Sequence, residues 1–170
     1  LFRSVVIFYS DNGGKHSYAK QTPFRAGKGW LYEGGIRVPL IVKWKGRTSP
    51  GSRSDALISS IDFFPTFLEI CGIENVPANT DGKSFAPLLT NPSEKTHENL
   101  YWHYPHYHGG SGMKPAGAIR SGSYKLIEWF EKSLTGKENA FELYNLNTDP
   151  GETKNIADEN PAKTKELMLL

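Results

Sequence analysis

The sequence predicts an α/β fold in which buried strands of a mostly parallel sheet and a helix are followed by a small antiparallel sheet and a C-terminal helix. Three observations predict it. An apolar, β-branched run, Val5-Val6-Ile7-Phe8-Tyr9, stops at a polar corner, Ser10-Asp11-Asn12-Gly13-Gly14. Apolar residues then recur at helical spacing after residue 62. Beyond residue 95 the apolar stretches become short and are divided by Gly, Ser, Asn and Pro. The organisation that follows is residues 1–95 as an α/β part and residues 96–170 as a small antiparallel subdomain.

Each element has its own signal. Val5–Tyr9 shows no polar alternation, so it reads as a strand covered on both faces within a mostly parallel sheet. Ligands collect beyond the carboxyl ends of such strands, which puts Ser10–Gly14 where chemistry is usually found. A glycine-rich stretch, Phe24–Arg37, leads to a second buried-looking strand near Val38–Trp44, with Pro39 acceptable only at its start or at an edge. Residues 45–55 are loop by composition. From about Asp62 to Cys71 a helix is expected, because Phe63, Phe64, Phe67, Leu68 and Cys71 share one face. Asp62 suits the cap, Pro65 the first turn and Gly72 the stop. On that face Cys71 reads as a small core residue rather than a nucleophile. Asp81-Gly82 makes a turn, and a short helix runs from Ser84 to Leu89. Strands are expected at Asn99–Tyr104, Ala116–Arg120, Tyr124–Phe130 and Phe141–Leu146, with a hairpin at Ser121-Gly122-Ser123. Asn160-Pro161 opens the last helix.

Composition narrows the function classes. The 170 residues are 38% hydrophobic and 22% charged, which excludes collagen, coiled coil and disorder. No stretch approaches eighteen consecutive apolar residues, so no membrane span is expected. The start, Leu1-Phe2-Arg3, lacks Met and the pattern of a signal peptide, so the chain reads as a fragment or a processed product. With Cys71 alone, no internal disulfide is expected. Residues 1–60 hold ten Lys or Arg against three acids (Asp11, Glu33 and Asp55), a balance of +7 within a chain of net +2. Such a split suits an anion-binding first third, and also an unevenly charged solvated surface. No basic block with interleaved aromatics points to nucleic acid.

Three segments carry candidate chemistry. Asp11 and Asn12 place a carboxylate and an amide carbonyl side by side, hard oxygen donors suited to Ca²⁺ or Mg²⁺, although Asp-Asn-Gly-Gly is also an ordinary turn. Lys28 stands between Gly27 and Gly29, where the backbone can approach a ligand and an ammonium can reach a phosphate or sulfate; it is equally a mobile surface lysine. Tyr101-Trp102-His103-Tyr104-Pro105-His106-Tyr107-His108 brings three imidazoles together at i, i+3 and i+5. With no carboxylate or thiol beside them, they suit a transition metal poorly.

Taken in order, Ser10–Gly14, Phe24-Arg25-Ala26-Gly27-Lys28-Gly29 and Tyr32-Glu33-Gly34-Gly35-Ile36-Arg37-Val38-Pro39 resemble the C-terminal portion of the formylglycine-dependent sulfatases of the alkaline phosphatase superfamily. The likeness continues through Ile61–Thr66, Asp81-Gly82-Lys83-Ser84, Ile119–Ile127 and Glu142–Glu152. The resemblance implies an alkaline-phosphatase-like fold, with residues 1–95 the C-terminal part of a large α/β catalytic domain and the end of its large mixed sheet, and hydrolysis of sulfate monoesters by the whole enzyme. It implies that Asp11 and Asn12 are metal ligands for Ca²⁺ (or Mg²⁺), that Lys28 contacts the sulfate ester, and that Glu33 and Arg37 buttress the loop that presents Lys28. The nucleophile of such enzymes is a formylglycine made from Cys or Ser in a C/S-x-P-x-R motif; this motif is absent here and is expected upstream, so residues 1–170 alone should be inactive. The resemblance also implies that His103 and His106 line a pocket for a sulfated small molecule or carbohydrate. The missing N-terminal part of the same protein would be a partner, in a periplasmic, extracellular or lysosomal setting. Two other readings stay open: a phosphate ester hydrolase of the same superfamily, and a noncatalytic carbohydrate-binding module.

Overall fold

The computed structural model describes residues 4–15, 17–73 and 75–170. The Leu1-Phe2-Arg3 start lies outside them. In chain order the elements are β1 (Val5–Tyr9), α1 (Glu33–Ile36), β2 (Leu40–Trp44), α2 (Phe63–Ile70), β3 (Asn99–Tyr104), β4 (Ala116–Ser121), β5 (Tyr124–Trp129), α3 (Phe130–Leu134), β6 (Phe141–Asn145) and α4 (Pro161–Met168). Two 3₁₀ turns, Ser60–Asp62 and Ala86–Leu89, complete them. The chain divides into two units, Leu1–Tyr9 with Pro39–Glu98, and Ser10–Val38 with Asn99–Leu170.

In the first unit β1 and β2 pair antiparallel, Val5 opposite Trp44 and Tyr9 opposite Leu40. Within residues 1–170 the neighbour of β1 is therefore antiparallel, where a mostly parallel sheet was expected. Burial alternates along both strands, and Val6, Phe8 and Ile41 are 56, 61 and 62% exposed. The reason is one-sided packing: Tyr9 meets Phe63 of α2 edge to face at 4.8 Å, and the two-residue period turns every second side chain the other way. Phe63 also meets the buried Phe85 at 5.4 Å.

Asp62 occupies the helix N-cap position but turns its carboxylate elsewhere. Wholly buried, it accepts the backbone N–H of Ser59 (2.7 Å) and of Lys83 (2.8 Å) and pairs with Nε2 of His97 (2.7 Å). Thr66 Oγ1 donates to the Asp62 carbonyl and accepts the N–H of Phe85. The Ile61-Asp62 and Asp81–Ser84 runs are therefore tied at one buried carboxylate.

Cys71 is exposed, which corrects its assignment to the core. The residues of α2 that are buried are Pro65 and Thr66, so the apolar stripe continuing from Phe64 and Phe67 to Cys71 runs along the open side. Gly72 ends the helix at φ +74° as expected.

The second unit is built on a four-stranded antiparallel sheet in the order β3-β4-β5-β6. Ser121 pairs with Tyr124, which leaves Gly122-Ser123 as a two-residue hairpin loop with Gly122 at φ +55°. One face of the sheet, with Ala116, Ala118, Ile127, Trp129 and Tyr144, packs against Leu31 and Tyr32. The opposite face, with Ile119, Leu126 and Leu143, packs against Ala157 and Leu167 of α4. Helices α1 and α3 lack a signal in the sequence. Glu33-Gly34-Gly35-Ile36 has poor helix propensity, and its single turn is held by tertiary contacts.

Candidate active-site loop

Directly after β1 in the sequence, Asp11 and Asn12 stand on a turn held by backbone contacts. Ser10 Oγ donates to the Asn12 carbonyl at 2.9 Å, and Gly13 N–H donates to the Gly35 carbonyl at 2.8 Å. A Cβ on Gly13 would lie 1.7 Å from the Gly34 carbonyl oxygen, so only glycine permits this approach. Lys28 N–H donates to the Gly14 carbonyl at 3.0 Å. The loop carrying Lys28 is thus bonded to the turn carrying Asp11 and Asn12. The Asp11 and Lys28 side chains are exposed and Asn12 is half-buried.

The Lys28 loop rests on α1. Gly34 N–H donates to the Arg25 carbonyl at 2.9 Å, and a Cβ on Gly34 or Gly35 would fall within 2.6 Å of the carbonyls of Arg25, Ala26, Gly27 and Trp30. Beneath the loop lies a buried ion cluster. Glu33 Oε1 meets Lys125 Nζ at 3.2 Å, while Glu33 Oε2 meets Arg120 at 3.4 Å and Arg37 at 3.5 Å. Glu152 meets the same Lys125 ammonium at 2.8 Å and accepts the Glu33 backbone N–H at 2.6 Å. Lys125, Glu33 and Glu152 are all essentially buried. Burial raises the Glu152 carboxyl above its ordinary value, opposed by the Lys125 ammonium.

A second polar cluster faces the same loop. Glu142 accepts the hydroxyls of Tyr32 and Tyr144, each at 2.8 Å, and Trp129 Nε1–H at 2.9 Å. Burial, with the Glu142 carboxylate adding to it, pushes both phenols well above their ordinary value, so they remain donors. Arg25 stacks on the Tyr32 ring at 3.9 Å and donates to Tyr144 and to the Glu152 carbonyl. The loop is therefore clamped to β5 and β6 by charge and by aromatic packing.

The three imidazoles of the aromatic segment point to different partners. His103, exposed on β3, lies opposite Gly117 with its ring 5.4 Å from Phe130. It follows Trp102 in the strand, so it occupies the sheet face away from Leu31 and Tyr32. His106 stacks on Tyr104 at 4.0 Å. His108 packs at the Lys28 loop, with Nδ1 within 2.9 Å of Ser111 Oγ, which itself donates to the Gly29 carbonyl at 3.1 Å.

Among the described residues no group of three or more His, Cys, Asp or Glu side chains converges as a metal site. Asp11 and Asn12 offer two oxygen donors by chemistry, fewer than the about six to eight of a Ca²⁺ shell. A family model described as N-sulphoglucosamine sulphohydrolase, C-terminal, matches residues 25–169.

The chain belongs to the sulfatase family. It is 40% identical to a sulfatase of Formosa agariphila, an alignment covering 98% of this chain and 31% of that protein. Its identity to the N-acetylglucosamine-6-O-sulfatase of Bacteroides thetaiotaomicron is 32%, over 100% of this chain and 30% of that protein. A solved structure holding its substrate, D-glucosamine-2-N,6-O-disulfate, superposes with a TM-score of 0.78 at 32% identity, over 97% of this chain and 32% of that one. The chain thus spans about a third of the length of these sulfatases and corresponds to their C-terminal portion.

Within this sulfatase portion, one hydrogen bond links the Lys28 loop to the Asp11-Asn12 turn, while His103 and His106 are held by Phe130 and Tyr104. Sequence reasoning missed Lys125, Glu152, Glu142 and the His108–Ser111 pair. A partial signal existed for Lys125, a lysine inside the apolar run Tyr124-Lys125-Leu126-Ile127. Ser111 carried none.

Proposed function

We propose that the full-length protein hydrolyses sulfate monoesters of a carbohydrate, and that this chain supplies the lysine for the sulfate and two oxygen ligands for a divalent cation. The observation that carries the reading is the Lys28–Gly14 hydrogen bond, which ties the cationic loop to the Asp11-Asn12 turn. The carbohydrate class is supported by the sulfated glucosamine bound to the similar structure. In this reading Lys28 neutralises charge on the ester's sulfate oxygens as the bond to the leaving oxygen breaks, and the fixed loop holds the ammonium in place beforehand. Asp11 and Asn12 hold Ca²⁺ or Mg²⁺ together with ligands from the rest of the protein. A cation so held would withdraw charge from the same oxygens. The formylglycine nucleophile belongs to the part of the protein outside residues 1–170.

Substrate recognition away from the sulfate falls to the aromatic segment. His106, exposed beside Tyr104, offers a polar edge and an aromatic face to a sugar ring, and His103 contributes from the strand. His106→Ala should raise KM for the natural ester and leave a small aryl sulfate unaffected, because such contacts need not strengthen in the transition state. His103→Ala should change KM less, since its ring lies against Phe130. Equal loss with both substrates would remove the histidines from recognition.

The decisive test is Lys28→Ala in the full-length protein assayed with an aryl sulfate in Ca²⁺. The rate should fall about 10²–10³-fold with an unchanged melting temperature, and Asp11→Ala should lower both rate and bound Ca²⁺. An unchanged rate with Lys28→Ala would overturn the proposal. Residues 1–170 alone should show no turnover.

A further inference from the structure

The segment after β3 returns to the Lys28 loop through a closed set of hydrogen bonds. His108 N–H donates to the Met113 carbonyl at 2.9 Å, and Gly112 N–H donates to the His108 carbonyl at 2.8 Å. Inside this turn Ser111 N–H donates to His108 Nδ1 at 3.1 Å, and Met113 N–H donates to Ser111 Oγ at 3.2 Å. The Ser111 hydroxyl donates outward to the Gly29 carbonyl at 3.1 Å. A hydroxyl has one proton; spent on Gly29, it leaves Oγ as an acceptor, so Nδ1 donates to Oγ at 2.9 Å when it carries the ring proton and accepts the Ser111 N–H, which also lies 3.2 Å from the His108 carbonyl, when it does not.

The contact falls on the residue after Lys28. Gly29 holds φ +85°, and a Cβ there would come within 2.9 Å of both His108 Nδ1 and Ser111 Oγ. The Lys28 loop is therefore held at two points: the Lys28 N–H on Gly14, and the Gly29 carbonyl on Ser111. With both peptide groups of this short glycine-flanked segment bonded, the Cα–Cβ direction of Lys28 is set before any ligand arrives. One anchor belongs to the turn that bears Asp11 and Asn12, the other to the loop that follows the aromatic segment.

We propose that His108 and Ser111 form a latch that positions Lys28 for the sulfate group, His108 acting through Nδ1 and the Ser111 backbone rather than touching substrate. The proposal rests on the reading of Lys28 as the sulfate-binding cation. A latch of this kind contributes to rate by removing the loop's freedom, and a misplacement of about 1 Å costs on the order of 10²-fold.

The test uses the full-length protein with an aryl sulfate. Ser111→Ala removes the donor to Gly29 and should lower kcat/KM by roughly ten- to a hundredfold, while hydrogen exchange over residues 27–30 speeds up and the melting temperature holds. His108→Asn places an amide group, donor or acceptor by rotation, near the position of Nδ1 and should retain most of the rate; His108→Gln, whose amide reaches the position of Nε2, should not. In a Lys28→Ala background, Ser111→Ala should cost nothing further, because both changes act through one side chain. Rescue by Gln instead of Asn would overturn the latch in favour of a substrate-touching Nε2. Faster exchange at residues 27–30 with an unchanged rate would overturn it as well. If Lys28→Ala is itself without effect, the reading of Lys28 has failed, a result distinct from a Ser111→Ala loss that persists without Lys28.

Discussion

Replacing Lys125 with Met tests the buried ion cluster that supports the glycine-rich loop. The ammonium is wholly buried, 2.8 Å from Glu152 and 3.2 Å from Glu33. At an effective dielectric near 20 these contacts represent about 6 and 5 kcal/mol of gross attraction, largely offset by desolvation. The loss on truncation is smaller than that sum and falls unevenly. Glu33 keeps Arg120 and Arg37, whereas Glu152 loses its ammonium partner and keeps the Glu33 backbone N–H on its other oxygen. A buried charge left without its partner costs about 3–5 kcal/mol. Native-state hydrogen exchange of the β4 and β5 amides should report that loss, because it measures the opening of this sheet within a larger protein. The pH dependence has a definite sign. Burial already raises the Glu152 carboxyl and Lys125 opposes the rise, so the variant lifts it further. The folded variant then binds a proton that the unfolded chain releases, and its deficit shrinks as pH falls towards the ordinary glutamate value of about 4.3. Adding Glu152→Gln should recover at least half of the loss. A deficit below about 1 kcal/mol, or one that Glu152→Gln leaves untouched at neutral pH, would refute the reasoning.

Gly13→Ala should disable the proposed activity of the full-length protein without touching a polar side chain: its Cβ would sit 1.7 Å from the Gly34 carbonyl oxygen, and the turn must move by roughly an ångström, costing on the order of 10² in rate. Unchanged turnover and Ca²⁺ content would dismiss the close approach. Leu143→Ala, at a fully buried site beneath α4, should destabilise by about 2–5 kcal/mol, read as faster exchange of the β5 and β6 amides. Burial pushes the Asp149 carboxyl up, but hydrogen bonds from the Lys154 and Thr153 amides and the Thr153 hydroxyl outweigh it and leave the group below its ordinary value. Its contribution is therefore present above the ordinary aspartate range and is lost as pH falls through the lowered folded value. The melting-temperature gap between wild type and Asp149→Asn should narrow on acidification, and a widening gap would reverse the sign.

The sequence by itself determined the local elements and the motifs. Short-range rules decide a β-branched run, the Gly122-Ser123 hairpin, the Gly72 stop and the Asn160-Pro161 start, and the structure places strands and helices at or within a few residues of each. The same holds for the ordered glycine-rich motifs, whose spacing is needed because backbone meets backbone at Gly13, Gly34 and Gly35. Tertiary structure alone decided the antiparallel pairing of β1 with β2 and its contact with Phe63, since both depend on residues more than thirty positions away. It also decided that Cys71 is exposed within residues 1–170, because the stripe on α2 says which residues share a face but not which face this portion buries. Lys125 illustrates the limit most clearly. Its neighbours in sequence are apolar, and the carboxylates that make its burial tolerable, Glu33 and Glu152, come from segments 92 and 27 residues away. Charge pairing at that separation is a property of the folded chain, because only folding brings those groups within 3.2 Å.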